Sequence, residues 1–364
     1  MGNIYYYDYT NMSSNSTDNY MTPAEGEYYD YANMTSEEEE ATAAATAVKI
    51  ISITIYSLTF LLGVPGNAFV LWIAGLKMKR TVNVAWFINL AAADFLCCLS
   101  IPFSISDTVL DSRWPYGTAM CKVITPFVIL SMFASVFTLA LIGLDRLALV
   151  VTPVWAQNHR SLGLAWGLCG LAWFLALMLS LPAMVLKAAV THPYTNVTHC
   201  TYAIHEDDEL SKAIVGRMQM ARFLLGFVVP LLVIVSCYTL ITLRVRSSSF
   251  RAKRAFKIIV AVVVAFFVCW LPYHALGLAR EYGQEDEDGE VVFLLDQLSI
   301  ALAYVNSCLN PLLYVFMGQD FKEKVRLSLR RILENAFSED ATHSTSTTRS
   351  KVTQSRITSS SAQV

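Results

Sequence analysis

Seven blocks of this chain, at about 48–76, 83–109, 119–151, 162–186, 214–243, 255–279 and 292–317, are apolar over a length that leaves few folds open. Crossing the roughly 30 Å hydrocarbon core of a bilayer takes about 20 helical residues, and each block supplies them. No water is available there to satisfy open backbone groups, so each block must close its hydrogen bonds as a helix. The expected fold is an all-α membrane protein, a seven-transmembrane helix bundle. Only 15% of residues are charged and 55% are hydrophobic; about a quarter charged is usual for a soluble domain. A net charge of −2 gives no bulk attraction to nucleic acid. The opening Met1-Gly2-Asn3-Ile4 has no basic region of the kind that begins a cleavable signal, so the first block is expected to target the chain and remain as an anchor. Myristoylation at Gly2 is set aside because Tyr6 stands where Ser or Thr is wanted.

Lysine and arginine placement orients the bundle. Residues 1–48 hold neither, against nine acids including Glu37 to Glu40. Lys77, Lys79 and Arg80 follow block one, His159 and Arg160 block three, Arg244, Arg246, Arg251, Lys253, Arg254 and Lys257 block five, and Lys322, Lys324, Arg326, Arg330 and Arg331 block seven. The loops on the other side carry Glu206 to Glu209 and Glu285 to Asp288. The N-terminus is therefore expected outside a plasma membrane and the C-terminus in the cytosol. Sequons at Asn11, Asn15, Asn33 and Asn196 all fall on the expected outer side. Of eight cysteines, Cys121 and Cys200 face the oxidising side while the other six lie within apolar blocks, so a Cys121–Cys200 disulfide is the economical pairing. Four segments result: an acidic tail at 1–47, the bundle at 48–317, an amphipathic helix at 318–334 with Phe321, Val325, Leu329 and Leu333 on one face, and a Ser/Thr-rich disordered tail at 335–364. In that last tail Ser344, Thr345, Ser346, Thr347, Thr348, Ser359, Ser360 and Ser361 are candidate phosphorylation sites.

Polar and helix-breaking residues inside membrane helices are costly and mark function by default. Each block has its own: Gly66-Asn67, Asn89 with Asp94, Asp145-Arg146, Trp173 with Pro182, Pro230 with Tyr238, Trp270 with Pro272, and Asn306-Ser307 with Asn310-Pro311 and Tyr314. This ordered set resembles that of the rhodopsin-like G-protein-coupled receptors over 48–334. The resemblance implies a receptor and not an enzyme. It implies that Asp94, Ser135, Asn306, Ser307 and Asn310 ring a hydrated cavity able to hold an allosteric sodium ion, with no other cofactor or structural metal. It also implies that Asp145 holds Arg146 at rest, and that Tyr238 and Tyr314 swing beneath Arg146 once the helices part. Leu147 departs from the family, which usually has Tyr there.

Within that family, Trp86-Phe87-Ile88-Asn89-Leu90, Arg113-Trp114-Pro115-Tyr116-Gly117, Gln157-Asn158-His159-Arg160, Arg222 to Phe227 and Met317-Gly318-Gln319-Asp320-Phe321 resemble the chemoattractant group. Its members serve formyl peptides, chemerin and complement anaphylatoxins. Lys187, Arg222 and Asp296, with Tyr273 and His274 beside them, are expected at the bundle mouth. The basic–basic–acidic trio is similar to that of the receptor for complement component 5a, whose ligand ends in arginine with a free carboxylate. The implied agonist is a cationic peptide or protein, with component 5a ahead of chemerin or a formyl peptide. Lys187 and Arg222 would take the terminal carboxylate and Asp296 the guanidinium. Tyr6, Tyr7, Tyr9, Tyr28, Tyr29 and Tyr31 sit among acids in a tail suited to sulfation and to attracting a cation. Implied partners inside are an inhibitory-class heterotrimeric G protein, receptor kinases and arrestin, with calcium release and chemotaxis downstream. A scavenger receptor that binds without signalling, or a seven-helix transporter, is the rival of another class; block seven has no Lys and one acid, Asp296.

Overall fold

A computed structural model describes residues 25–203, 208–244, 250–282, 289–317 and 327; within these, side chains are described for 42–203, 210–244, 260–282, 291–292, 294–311 and 327. The helices are α1 (Glu25–Trp72), α2 (Val82–Val109), α3 (Gly117–Val151), α4 (Pro153–His159), α5 (Leu162–Leu186), α6 (Asp208–Phe223), α7 (Val229–Arg244), α8 (Phe250–Tyr282) and α9 (Gly289–Met317). A π-helical turn, Ile73–Lys77, ends α1, and another, Leu224–Val228, joins α6 to α7 in one rod. One compact unit comprises 1–312. The second comprises 313–364, of which the structure describes 313–317 and Leu327.

Six of these rods are long and apolar enough to cross a membrane: Thr42–Lys77, Val82–Val109, Gly117–Val151, Leu162–Leu186, Leu210–Arg244 and Val260–Tyr282. At 29 residues α9 is the seventh rod. The surface they present is apolar, with Leu61, Leu171, Phe174, Leu232 and Val268 all more than half exposed, whereas Asn67 and Asp94 are fully buried. Water would reverse that arrangement; a hydrocarbon solvent favours it. The chain is an all-α multi-pass membrane bundle. Its helices start where local chemistry permits: Thr81 Oγ1 accepts the Val84 N–H at 3.3 Å to cap α2, and Ser161 Oγ accepts the Leu164 N–H at 3.2 Å to cap α5. α3 is the central rod, packed on α2, α5 and α7. Gly226 admits it closely, since a Cβ there would lie 2.8 Å from Met132 Cε and 3.0 Å from the Phe133 ring.

Several elements differ from the sequence expectation. α1 begins at Glu25, inside the stretch expected to be tail, and the fifth span begins at Asp208. α4 adds a short helix between the third and fourth spans. Between α5 and α6 lies an antiparallel hairpin, β1 (Lys187–Thr191) with β2 (Thr198–Tyr202), in the register Lys187↔Tyr202 and Ala189↔Cys200. The helical periods of the flanking spans hid it. The Cys121–Cys200 disulfide, with Cα atoms 5.6 Å apart, ties β2 to α3 as expected. Trp114 reinforces the tie, its N–H donating to Thr198 O at 2.7 Å. Asn11, Asn15, Tyr6, Tyr7, Tyr9, most of 318–334 and the sites at 344–348 and 359–361 lie outside the described residues. The side chains of Asn33, Tyr28, Tyr29, Tyr31 and Tyr314 do so too.

Candidate functional site

The hairpin end of the bundle gathers the expected trio, and all three residues are buried: Lys187 at 1%, Arg222 at 7% and Asp296 at 6% exposed. Interfacial water therefore does not solvate them. The hairpin register places Tyr202 beside Lys187, whose Nζ lies 5.0 Å from the centre of the Tyr202 ring. The Tyr202 hydroxyl accepts from Arg222 Nη2 at 2.8 Å, and Gln219 Oε1 accepts from Arg222 Nη1 at 3.4 Å. Burial, and then the Arg222 charge, push the Lys187 ammonium down to about 7, with Asp107 opposing.

Asp296 is not an open acid. Its Oδ2 accepts from Arg280 Nη1 at 2.7 Å, and Ser299 Oγ donates to its backbone carbonyl at 2.7 Å. Arg280 Nη2 also lies 3.5 Å from Glu281. To the three residues read from sequence the structure adds Tyr202, which joins Lys187 and Arg222, and a third cation, Arg280, on the Asp296 carboxylate. Arg280, Tyr202 and Gln219 escaped the sequence reading. Below this cluster His274 is fully buried among Phe223, Phe227, Trp270 and Tyr273, with ring centres 5.2–6.4 Å away. Among the described residues neither of its ring nitrogens has a hydrogen-bond partner. Tyr273 packs edge-on against Trp270 at 5.5 Å. Pro272 lies within α8, next to Tyr273.

In the middle of the bundle Asp94 Oδ2 accepts from Asn310 Nδ2 at 2.7 Å, and Asn67 Nδ2 donates to Ser307 O at 2.8 Å. Asp94 Oδ1, Ser135 Oγ, Asn306 Oδ1 and Asn310 Oδ1 are buried and without a partner among the described residues. A buried polar atom without a partner is uncommon and calls for a water or an ion. Hard oxygen donors around one carboxylate fit an alkali cation. Pro311 contacts this layer from within α9, 3.2 Å from where a Cβ on Gly66 would stand. A second network went unread. The Tyr304 hydroxyl bonds to Ser100 Oγ at 3.1 Å and Ser104 Oγ at 2.8 Å, with Tyr56 edge-on at 5.5 Å.

At the opposite end, the expected Asp145–Arg146 pair is present but is not the main contact of Asp145. Arg146 Nη2 lies 3.4 Å from Asp145 Oδ2. Arg160 instead donates twice to that carboxylate, Nε to Oδ1 at 2.6 Å and Nη2 to Oδ2 at 3.1 Å. Asn83 Oδ1 accepts from both guanidiniums. Tyr238 is half-buried in α7.

A seven-rod bundle with a disulfide-tethered hairpin over one end and an Asp-Arg pair at the other is the architecture of a transmembrane receptor. The family model for the seven-transmembrane receptors of the rhodopsin family matches residues 66–314. The C3a anaphylatoxin chemotactic receptor of Oncorhynchus mykiss is 54% identical over 336 residues, 92% of each chain. That of Danio rerio is 55% identical over 313 residues, 86% of this chain and 84% of the relative. The C5a anaphylatoxin chemotactic receptor 1 of Homo sapiens is 37% identical over 343 residues, 92% of this chain and 96% of the relative. The chain belongs to the rhodopsin family of seven-transmembrane receptors, within its chemoattractant group, and is not an enzyme.

Proposed function

We propose that this receptor answers an anaphylatoxin, and component 3a in preference to component 5a. The sequence reading put 5a first on the trio Lys187, Arg222 and Asp296. Two relatives favour 3a, the C3a receptors of Oncorhynchus mykiss and Danio rerio at 54% and 55% identity, against 37% for the human C5a receptor. The trio fits any peptide that ends in arginine with a free carboxylate, so it cannot separate the two. The observation that carries the reading is the buried cluster itself: two cations joined through Tyr202, and one carboxylate already holding a guanidinium. A ligand carboxylate suits Lys187 and Arg222, and its guanidinium exchanges with Arg280 at Asp296.

In this reading the N-terminus and the hairpin lie outside the plasma membrane and the acidic tail draws in the cationic ligand. Differential contacts at the mouth favour a packing in which α8 parts from α3. The Arg146 end then takes an inhibitory-class G protein, and the phosphorylated tail recruits arrestin. A sodium ion held by Asp94, Ser135, Asn306 and Asn310 would supply positive charge that stabilises the resting packing; the unpartnered oxygens support it.

The test is expression in cells with cyclic AMP and calcium as readouts. Purified components 3a and 5a, chemerin and a formyl peptide are applied, each anaphylatoxin also after trimming by a carboxypeptidase specific for C-terminal basic residues. Component 3a is expected to signal at the lowest concentration and to lose potency on trimming. A response to chemerin or formyl peptide with silence toward both anaphylatoxins overturns the ligand assignment.

A further inference from the structure

We propose that Arg160, in the link between α4 and α5, sets the resting hold on Arg146 by taking the Asp145 carboxylate away from it. The side chain of Asp145 is 8% exposed, so its carboxylate relies on protein donors. Two guanidiniums, each 25% exposed, compete for it, and the geometry favours Arg160. Its two bonds, at 2.6 and 3.1 Å, form the bidentate fork that makes arginine–carboxylate pairs strong, whereas Arg146 has one 3.4 Å approach. A second acceptor, Asn83 Oδ1, is shared, taking one bond from Arg146 Nη2 and one from Arg160 Nη2, and Arg146 Nε has no partner among the described residues.

Arg160 has little slack with which to leave. Its N–H closes α4 onto Ala156 O at 2.9 Å, and the next residue, Ser161, caps α5. α4 itself is braced by Pro153 at its first turn, by the stacked Trp155 and His159 rings at 4.9 Å and by Ala156, which is 1% exposed. Val154 and Trp155 of the same helix are 72% and 52% exposed. A partner seated on that face bears on Arg160 through a short link, and the carboxylate of Asp145 at the foot of α3 is redistributed with it. Arg160 acts here as a positioning residue: it touches no ligand and works through Asp145 and Asn83.

The consequence has a definite sign. With the Arg160 cation removed, the Asp145 carboxylate turns to Arg146, the guanidinium is held back against its own helix, and the open packing becomes rarer. The inference rests on the reading that the Arg146 end takes the G protein, so two readouts are needed. Purified receptor in nanodiscs is assayed for agonist-free nucleotide exchange on an inhibitory-class heterotrimer. In parallel, spin labels on Lys79→Cys and Lys253→Cys report the fraction of long distances between the link preceding α2 and the foot of α8. Arg160→Ala is expected to lower both by about three- to tenfold, the range of a partly exposed charge pair, and Arg160→Lys to restore part of the loss. Asp145→Asn is expected to raise both, and adding Arg160→Ala to it to change nothing further, because the contested acid is gone. An unchanged or raised value in Arg160→Ala overturns the proposal. So does an equal fall in the Asp145→Asn background, which marks a bracing role or a direct partner contact. If the wild-type receptor moves no G protein, the signalling reading fails and the spin-label distances alone decide on Arg160.

Discussion

On the proposed reading Asp296 passes from Arg280 to a ligand guanidinium, and the exchange has a measurable size. The Arg280–Asp296 bond is 2.7 Å long, and the two side chains are 24% and 9% exposed. Unit charges about 4 Å apart interact by roughly 4 kcal/mol at an effective dielectric constant near 20. Screening by the exposed quarter of Arg280 brings the net value to about 1–2 kcal/mol. An arriving ligand guanidinium gains what Arg280 gives up, so the exchange is nearly neutral. Replacing the ligand's terminal arginine with the uncharged isostere citrulline is then expected to weaken binding only about three- to tenfold in the wild-type receptor. In Arg280→Met the acid waits unpaired, and the same replacement is expected to cost about 2–3 kcal/mol, roughly 30- to 150-fold. The assay is competition binding with two synthetic peptides that differ only in that residue, against wild type, Arg280→Met and Asp296→Asn. Asp296→Asn should flatten the ratio. Equal ratios in wild type and Arg280→Met refute the exchange and leave Arg280 as a structural brace.

Four further outcomes follow from the same geometry. Lys187 titrates near 7 because it is buried beside Arg222; a ligand carboxylate prefers the ammonium, so affinity for a peptide with a free C-terminus should fall about tenfold from pH 6 to pH 8, and in Lys187→Met the profile should be flat. Stability runs the other way, because between about 7 and 10.5 the unfolded chain binds the proton that the fold lacks, and melting temperature rises with pH across that window. Tyr304→Phe removes the partner of Ser104 Oγ and one partner of Ser100 Oγ, which should destabilise the detergent-solubilised receptor by about 1–3 kcal/mol; Ser104→Ala in the same chain should recover part of the melting temperature. Asp94→Asn should abolish any sodium dependence of agonist affinity, tested by titrating sodium against potassium at constant ionic strength.

What the sequence disclosed was whatever a bilayer makes expensive. Seven spans could be read because length and charge depletion are properties of the chain alone. The layer of Asn67, Asp94, Asn306 and Asn310 could be read because a polar group in hydrocarbon needs a reason. Cys121 and Cys200 could be paired because no other cysteines lay on the oxidising side. Arg280 could not be found this way. It stands one residue past the expected end of the sixth block, where an arginine reads as an interfacial anchor, and its partner Asp296 lies across a loop, 16 positions on. Arg160 looked like one more loop cation, although a tertiary contact places it on Asp145. The hairpin from Lys187 to Tyr202 was hidden by strands of five residues, too short for alternation to show. Component 5a was placed ahead of chemerin and formyl peptides on Lys187, Arg222 and Asp296, and on the proposed reading such a trio takes a chemical terminus, which does not by itself choose among the anaphylatoxins.

The two ends of the bundle share one arrangement. At the mouth Asp296 serves Arg280 and, on the proposed reading, a ligand guanidinium; at the foot Asp145 serves Arg160 and Arg146. An acid with a single committed cation is a lock, because releasing it strands a buried charge at a cost of several kcal/mol. An acid with two candidate cations is never stranded, so trading one for the other costs little. That keeps two packings within reach of the modest differential affinity a peptide supplies. Between these ends lie His274 in its aromatic box, the Tyr304 hydroxyl network and the oxygens around Asp94, polar groups that find their partners on neighbouring helices or find none among the described residues. The route from ligand to G protein then needs no single rigid lever. It needs a bundle whose few interior charges stay satisfied in both arrangements, and on the proposed reading a second guanidinium for each acid, the ligand's at Asp296 and that of Arg146 at Asp145, provides that.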